Sequence, residues 1–353
     1  MTEDVTDAGG AGPAGPARVG AAVGPPAAGT DPRTVVAVLT YRRPDDLRAA
    51  LPMLVAQART LDPPARVLVV DNDPDAGALD VVAQVAQTTD GVDVVHVHEP
   101  RPGIAAARNR ALDEVGDAHV VVFVDDDERP VDRWLRLLVD TYLVDRPEAV
   151  VGPVVSEFVQ EPDAWVRAGR FFDRRRLRTG TTTDVAATNN LLLDLDRLRE
   201  LGLRFDEAFG LSGGSDMLIT RQLSGAGGRI VWCDEAVVVD VVPPDRVTRT
   251  WVLARAFRSG NTWARTSVVL APGPLGRTVV RLRLTGEGLV RTLGGAARVV
   301  VGRLTGSASQ HARGRRTLAR GTGMLAGAYG TVYVEYARDG NRTVRAAHVP
   351  GAR

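Results

Sequence analysis

Residues 120–130 read VVVFVDDDERP, a run of five apolar residues that ends in three aspartates, a glutamate, an arginine and a proline. Adjacent carboxylates repel one another, so a strand end carrying Asp125, Asp126 and Asp127 calls for positive charge beside it. Hard divalent cations supply that charge through oxygen ligands. Mg2+ or Mn2+ is held by one or two carboxylates together with substrate phosphates. In an extended chain the first and third carboxylates, Asp125 and Asp127, share one side. A metal held there neutralises a diphosphate and makes it a competent leaving group. An isolated DDD is more often a solvated turn, but its place at the end of a buried strand reverses that balance.

The surrounding pattern explains how such a strand end is positioned. Valine-rich runs at 34–40, 66–71, 92–98 and 118–125 alternate with amphipathic stretches at 45–59, 76–87 and 103–115. Short apolar runs separated by helical periodicity predict buried parallel strands with right-handed crossovers, hence a doubly wound α/β sheet. In that fold, ligands sit at the carboxyl ends of the strands, where strand order reverses. The polar signatures fall on those ends: Thr40-Tyr41-Arg42, Asp71-Asn72-Asp73 and Asp125-Asp126-Asp127. Further strands are expected over 149–158 and 187–194, a helix and strand over 216–232, and mostly helices from 246 onward, with a glycine-rich segment at 321–330.

Bulk composition narrows the function classes. A net charge of +1 over 353 residues gives no argument for nucleic acid. The single cysteine, Cys233, excludes an intrachain disulfide and fits a reducing, cytoplasmic compartment. The N-terminal stretch lacks the form of a signal peptide, and no uninterrupted apolar run reaches the ~18 residues of a spanning helix. Residues 1–32 are Ala/Gly/Pro-rich and read as a disordered tail, and 339–353 as a second flexible tail. Between them we expect an α/β domain over 33–245, in two halves (33–130, carrying the nucleotide-binding strand ends, and 131–245), and a basic helical extension over 246–338.

Taken in order, VLTYRRPDDLRAAL, VLVVDND, RPGIAAARNRAL, VVFVDDDERPVDRWLRLL, TNNLLLDLDRL and FGLSGGSDMLITRQLSGAGGRIVWCDEAVV resemble the family-2 glycosyltransferases of the GT-A fold. The likeness runs from residue 34 to about 265. It implies a Rossmann-like mixed sheet and transfer of a sugar, with inversion, from a nucleoside diphosphate sugar to a saccharide or lipid-linked acceptor. It also implies roles for individual residues. Thr40 and Arg42 lie where the family grips the nucleotide, Asp71 where a carboxylate meets the base, and Asp73 beside it. Gly103 and Arg108 match the helix that closes over the nucleotide. Asp125 and Asp127 match the Asp-x-Asp pair that holds Mn2+ or Mg2+, Asp127 as the direct ligand and Asp125 reaching either the ribose or the metal through water, with Asp126 between them in the donor site. Asp216 matches the general base; a helix cap is the competing role for it. Gly214 precedes it, and Asn190 belongs to the strand motif TNNLLLD.

Three departures from the family pattern stand out. Ser215 replaces an acid before the base, Leu218 replaces a frequent second acid, and no His follows Asp240 where the family often has one. Arg255 and Arg258 are candidates to supply positive charge to the diphosphate instead; a solvated basic face is the competing reading. His96 and His98 share a strand face without metal-ligand company, and Trp134 and Trp165 read as packing residues. The stripe Leu289, Leu293, Ala296, Ala297, Val300 and Leu304, with Arg291 and Arg298 off it, fits either a helix packed on its own domain or a peripheral contact with an anionic membrane surface. Gly323 and Gly327 allow close helix contact, within the chain or in a homodimer. A nucleotidyltransferase and a non-catalytic nucleotide-sugar-binding protein are the rival functions.

Overall fold

The computed structural model describes residues 30–334 and the short strand at 345–346. Most of the expected N-terminal tail and the expected C-terminal tail lie outside the described residues. Asp31, at the edge of the first, accepts hydrogen bonds from Arg136 at 2.6 and 2.8 Å.

The first half alternates as its periodicity demands: β1 (Thr34–Thr40), α1 (Pro44–Ala58), β2 (Arg66–Asp71), α2 (Leu79–Gln87), β3 (Val94–His98), α3 (Ile104–Glu114) and β4 (Val120–Asp125). Then come β5 (Glu128–Pro130), α4 (Trp134–Asp145), β6 (Ala149–Val151), β7 (Val154–Phe158), α5 (Ala164–Gly169), β8 (Thr182–Thr183), β9 (Asn190–Asp194) and α6 (Leu195–Glu200). Next follow α7 (Ser215–Gly225), β10 (Ile230–Trp232) and β11 (Val238–Val242).

The main sheet has the order β3-β2-β1-β4-β9-β6-β10-β8. β1 pairs in parallel with both β2 and β4, while β9 runs antiparallel between β4 and β6, so the sheet is mixed. The valines of β1, β2 and β4 are buried on both faces because helices cover both. On one side Val36 and Val38 pack with Leu47, Leu51, Leu54 and Trp134; on the other Val35 and Ala37 join Ala105, Leu198 and Ile219. Strand order reverses between β1 and β4, and the register sets Leu39 beside Asp125. Thr40 and the three aspartates therefore meet at one crevice.

The single strand expected over 149–158 is two strands. Gly152-Pro153 breaks it, and β7 leaves the main sheet for a small one of order β5-β11-β7. That second sheet sets Glu128 opposite Asp240 in the β5–β11 ladder. The C-terminal region is helical, as its composition suggests: α8 (Arg249–Leu270), α9 (Gly273–Leu304) and α10 (Ala308–Ala328). The glycine-rich segment is the end of α10 as far as Ala328. Trp165 joins this bundle to α5 through a 2.8 Å hydrogen bond to His311 Nδ1.

Candidate active site

The acid cluster is met by arginines, and the sequence reading named only some of them. Arg43 Nη1 donates to Asp126 Oδ1 at 3.1 Å and to Asp127 Oδ2 at 2.9 Å. Arg246 Nη1 reaches the same Asp127 oxygen at 3.0 Å. Thr40 Oγ1 donates to Asp126 Oδ2 at 2.8 Å, which fixes that carboxylate at the foot of the crevice. Arg246 sits in the short 3-10 turn Pro244–Val247 that follows β11. That turn brings a guanidinium, with no histidine beside it in sequence, to the acid cluster.

Arg42, the expected nucleotide contact, turns from the three aspartates to the loop after β2. Its backbone is left-handed, with φ 54, and its Nε donates to Asp73 Oδ1 at 3.1 Å. That turn directs Arg42 to the β2 loop and leaves Arg43 for the acids. Asp73 is buried but stays coupled to the half-exposed Arg42. Asp71, the expected partner of the base, is tied into the loop. It is fully buried, and its two oxygens accept from the backbone N–H groups of Asp73 at 2.9 Å and Ala78 at 2.8 Å. A carboxylate so engaged shapes the loop that follows β2. Asn72 does similar work, donating to the carbonyls of Glu99 and Arg101 and accepting from the N–H of Gly103 at 3.1 Å. Gly103 has φ 116, and a side chain there would press on the backbone of Gly210.

Behind the aspartates lies Glu128, 1% exposed. It accepts from Asn189 Nδ2 at 2.7 Å and from the N–H of Asp125 at 3.3 Å. Burial, then the nearby Asp125, holds its carboxyl well above the usual range. Burial and then Asp127 push Asp125 up to about 7; burial, partly offset by Arg43, pushes Asp126 up to about 6. Burial works against the charge of Arg43, yet Asp126 and Asp127 hold it more firmly protonated than usual. Beside Glu128, Asp240 accepts from Arg174 Nη2. Asn190 is fully buried and serves the scaffold rather than the crevice. It accepts from Trp134 Nε1 at 2.9 Å and donates to the carbonyls of Pro153 and Ala236.

These raised values have a sign for stability. Between about pH 4 and pH 7 the folded cluster keeps protons that the unfolded chain has released. The unfolded state is favoured progressively across that window, so the cluster's contribution to stability falls as pH rises and then levels off. Protein stripped of divalent metal is expected to lose melting temperature across this range. Asp125→Asn should remove a large part of the slope; an unchanged slope would place the protons elsewhere.

Asp216 lies in the first turn of α7, half-buried, and accepts from the N–H of Met217 at 2.8 Å. The helix cap position belongs to Gly214, so Asp216 is not the cap residue. Gly213 at φ 75 and Gly214 at φ 102 both need a left-handed backbone, which glycine alone adopts without strain. Ser215, buried, accepts from Arg108 Nη1 at 2.9 Å. Because a hydroxyl leaves the guanidinium charge unneutralised, Arg108 acts electrostatically on Asp125 and lowers its proton affinity. Arg108 is therefore the link between the α7 turn and the acid cluster.

Arg255 stands over the rings of Trp251 and Phe172, at 5.4 and 5.8 Å. Burial and then repulsion from Arg174 and Arg258 push it down to about 9, so it is not a simply solvated cation. Asp240 and Arg246 also act on it, which places α8 beside the acid cluster. A cleft of about 400 Å³, lined by Phe158, Phe172, Asp173 and Arg174 among others, opens on the β7 side of Asp240. Arg43, Arg246, Glu128, Asn189 and Arg174 were not assigned roles from sequence. Arg43, Glu128 and Asn189 each adjoin a residue that was; Arg246 and Arg174 do not.

Among the described residues, no group of three or more His, Cys, Asp or Glu stands ready to hold a metal. The hard oxygen donors of Asp125 and Asp127 still suit a divalent cation completed by substrate phosphates. Arg43 and Arg246 both meet Asp127 through Oδ2 alone.

The family model described as glycosyl transferase family 2 matches residues 35–195. The succinoglycan biosynthesis protein ExoM of Rhizobium meliloti (strain 1021) is 35% identical over 240 residues, covering 65% of this chain and 74% of ExoM. The mannosyltransferase PcManGT from Pyrobaculum calidifontis, solved with GDP-Man and Mn2+, superposes with a TM-score of 0.56 at 19% identity, over 84% of this chain and 88% of that one. GalNAc-T7, solved with UDP, GalNAc and Mn2+, gives 0.52 at 13% identity, over 69% of this chain and 48% of the other, so the match spans about half of that structure. At such identities the two structures bear on the fold alone.

Proposed function

The chain belongs to glycosyltransferase family 2, and from that premise we propose that it is an inverting, metal-dependent enzyme of cell-surface polysaccharide synthesis. It would transfer a sugar from a nucleoside diphosphate donor to a saccharide or lipid-linked hydroxyl on the cytoplasmic side of the cell. The observation that carries this reading is the convergence of Asp125, Asp126 and Asp127 with Arg43 and Arg246 at the β1–β4 crevice. The catalytic unit would span 33–245, with 246–338 as an extension that lends Arg246, Arg255 and Arg258 to the site.

In this scheme Asp216 accepts the proton of the acceptor hydroxyl as its oxygen attacks the anomeric carbon opposite the diphosphate. The two glycines of that loop allow its left-handed turn, and Gly214 packs closely on Thr262. Asp127 and Asp125 would hold Mn2+ or Mg2+, which when bound draws charge from the departing diphosphate. Arg246, released from Asp127, can donate to the same diphosphate. Thr40 keeps Asp126 oriented, and Arg42 with Asp73 forms the rim on the nucleotide side. The acceptor would approach along the cleft beside Phe158 and Arg174.

The nucleotidyltransferase reading is not favoured. Calorimetry against a panel of nucleoside diphosphate sugars, with and without Mn2+, tests the proposal. Metal-dependent binding of one donor supports it. No binding by folded protein at millimolar concentration would turn the reading towards a non-catalytic role. Arg246→Ala is expected to lower kcat by about ten- to a hundredfold, with a smaller change in donor affinity. An unchanged kcat would confine Arg246 to a structural contact with Asp127.

A further inference from the structure

Apart from a small core of Leu284, Val299 and Met324, the α9–α10 contact is made by small residues, and α9 turns most of its large apolar residues outward. On α9, Gly288, Gly295 and Gly302 recur every seven residues and face α10. A Cβ at Gly295 would lie 2.5 Å from the backbone N of Leu318, and one at Gly302 would lie 2.3 Å from that of His311. From α10, Gly314 and Gly321 return the contact, while Gly323 and Gly327 pack on α8. The glycines expected to allow close helix contact therefore do so within the chain.

The opposite face of α9 is apolar along its whole length. Leu275, Leu282, Val290, Leu293 and Leu304 are 83%, 65%, 72%, 67% and 82% exposed. At 100° per residue these side chains fall on one stripe, about 45 Å long for the 32-residue helix. Arg283 and Arg303, both exposed, stand at its two edges. Between 273 and 328 the chain carries ten arginines and one acid, Glu287. Small residues at helix contacts with large apolar residues outside is the arrangement helices adopt against lipid. No helix among the described residues is long and apolar enough to cross a membrane.

We propose that α9 lies in the plane of an anionic lipid surface, its Leu/Val stripe among the acyl chains and its flanking arginines on the headgroup phosphates. The stripe supplies the apolar area and the arginine rim the selectivity for acidic lipid. The competing occupant, a second copy of the chain, would bring another positively charged helix against this one.

Full-length protein should co-sediment with phosphatidylcholine vesicles containing phosphatidylglycerol, and much less with phosphatidylcholine alone. Leu282→Asp combined with Leu293→Asp alters two exposed positions, so folding, checked by circular dichroism and melting temperature, should survive while vesicle binding falls about tenfold or more. Arg283→Glu with Arg303→Glu should reduce the preference for phosphatidylglycerol. The proposal is overturned if wild type fails to sediment at low salt, or if the double aspartate variant binds as well as wild type. A wild-type dimer without vesicle binding, made monomeric by that variant, would also overturn it and assign the face to a protomer contact. Donor binding by calorimetry is read separately, so failure here leaves the active-site reading untouched.

Discussion

Asp216→Asn is expected to lower the turnover number by about 10²–10⁴ while donor affinity stays within about twofold of wild type. The substitution is nearly isosteric. The amide oxygen of Asn can still accept from the N–H of Met217, so the first turn of α7 keeps its hydrogen bond. Gly213 and Gly214 still set the loop, and Arg108 still bonds to Ser215 rather than to position 216. Only the capacity to take a proton is removed. Donor calorimetry paired with single-turnover transfer to an identified acceptor separates the possibilities. Retained transfer would remove Asp216 from catalysis. Lost donor binding would make it a structural residue of the α7 turn.

How much of this was legible in the chain depends on the range of each interaction. β1, β2 and β4 were readable because burial on both faces writes itself as uninterrupted valine, and β1 and β2 begin and end where that reading put them. The aspartates were readable because they end such a strand. What failed was pairing at a distance. Arg42 and Arg43 are neighbours of equal charge, and only the left-handed turn at Arg42 decides which one meets the acids. Arg246 lies 119 residues from Asp127 and is brought there by β11, whose place in a second sheet has no periodic signature. Asp71 and Asn190 matched family motifs, yet their motif positions coincide with backbone groups that need a buried partner. A polar residue at a strand end can serve the ligand or the loop, and type alone does not separate the two.

The complementary test is Asp127→Ala, expected to weaken metal-dependent donor binding by at least about a hundredfold, the upper range for losing a partner of a metal site. The argument turns on why this carboxylate is unlike its neighbours. It alone accepts from both Arg43 and Arg246, on one oxygen, so it is where cations converge before any donor arrives. Removing it does not simply cost the fold a salt bridge. Arg43 keeps Asp126, and Asp125 loses the neighbouring charge that, after burial, does most to hold its proton. Arg246 loses its partner, and the two changes oppose each other. Thermal stability should therefore move little, by about 1–2 kcal/mol in either direction, while donor binding collapses. Calorimetry with Mn2+ and the matching nucleoside diphosphate sugar, beside a melting curve on the same sample, reads both quantities. If metal-dependent binding survives, Asp127 is not the carboxylate that holds the metal, and its part in the site is to anchor Arg43 and Arg246.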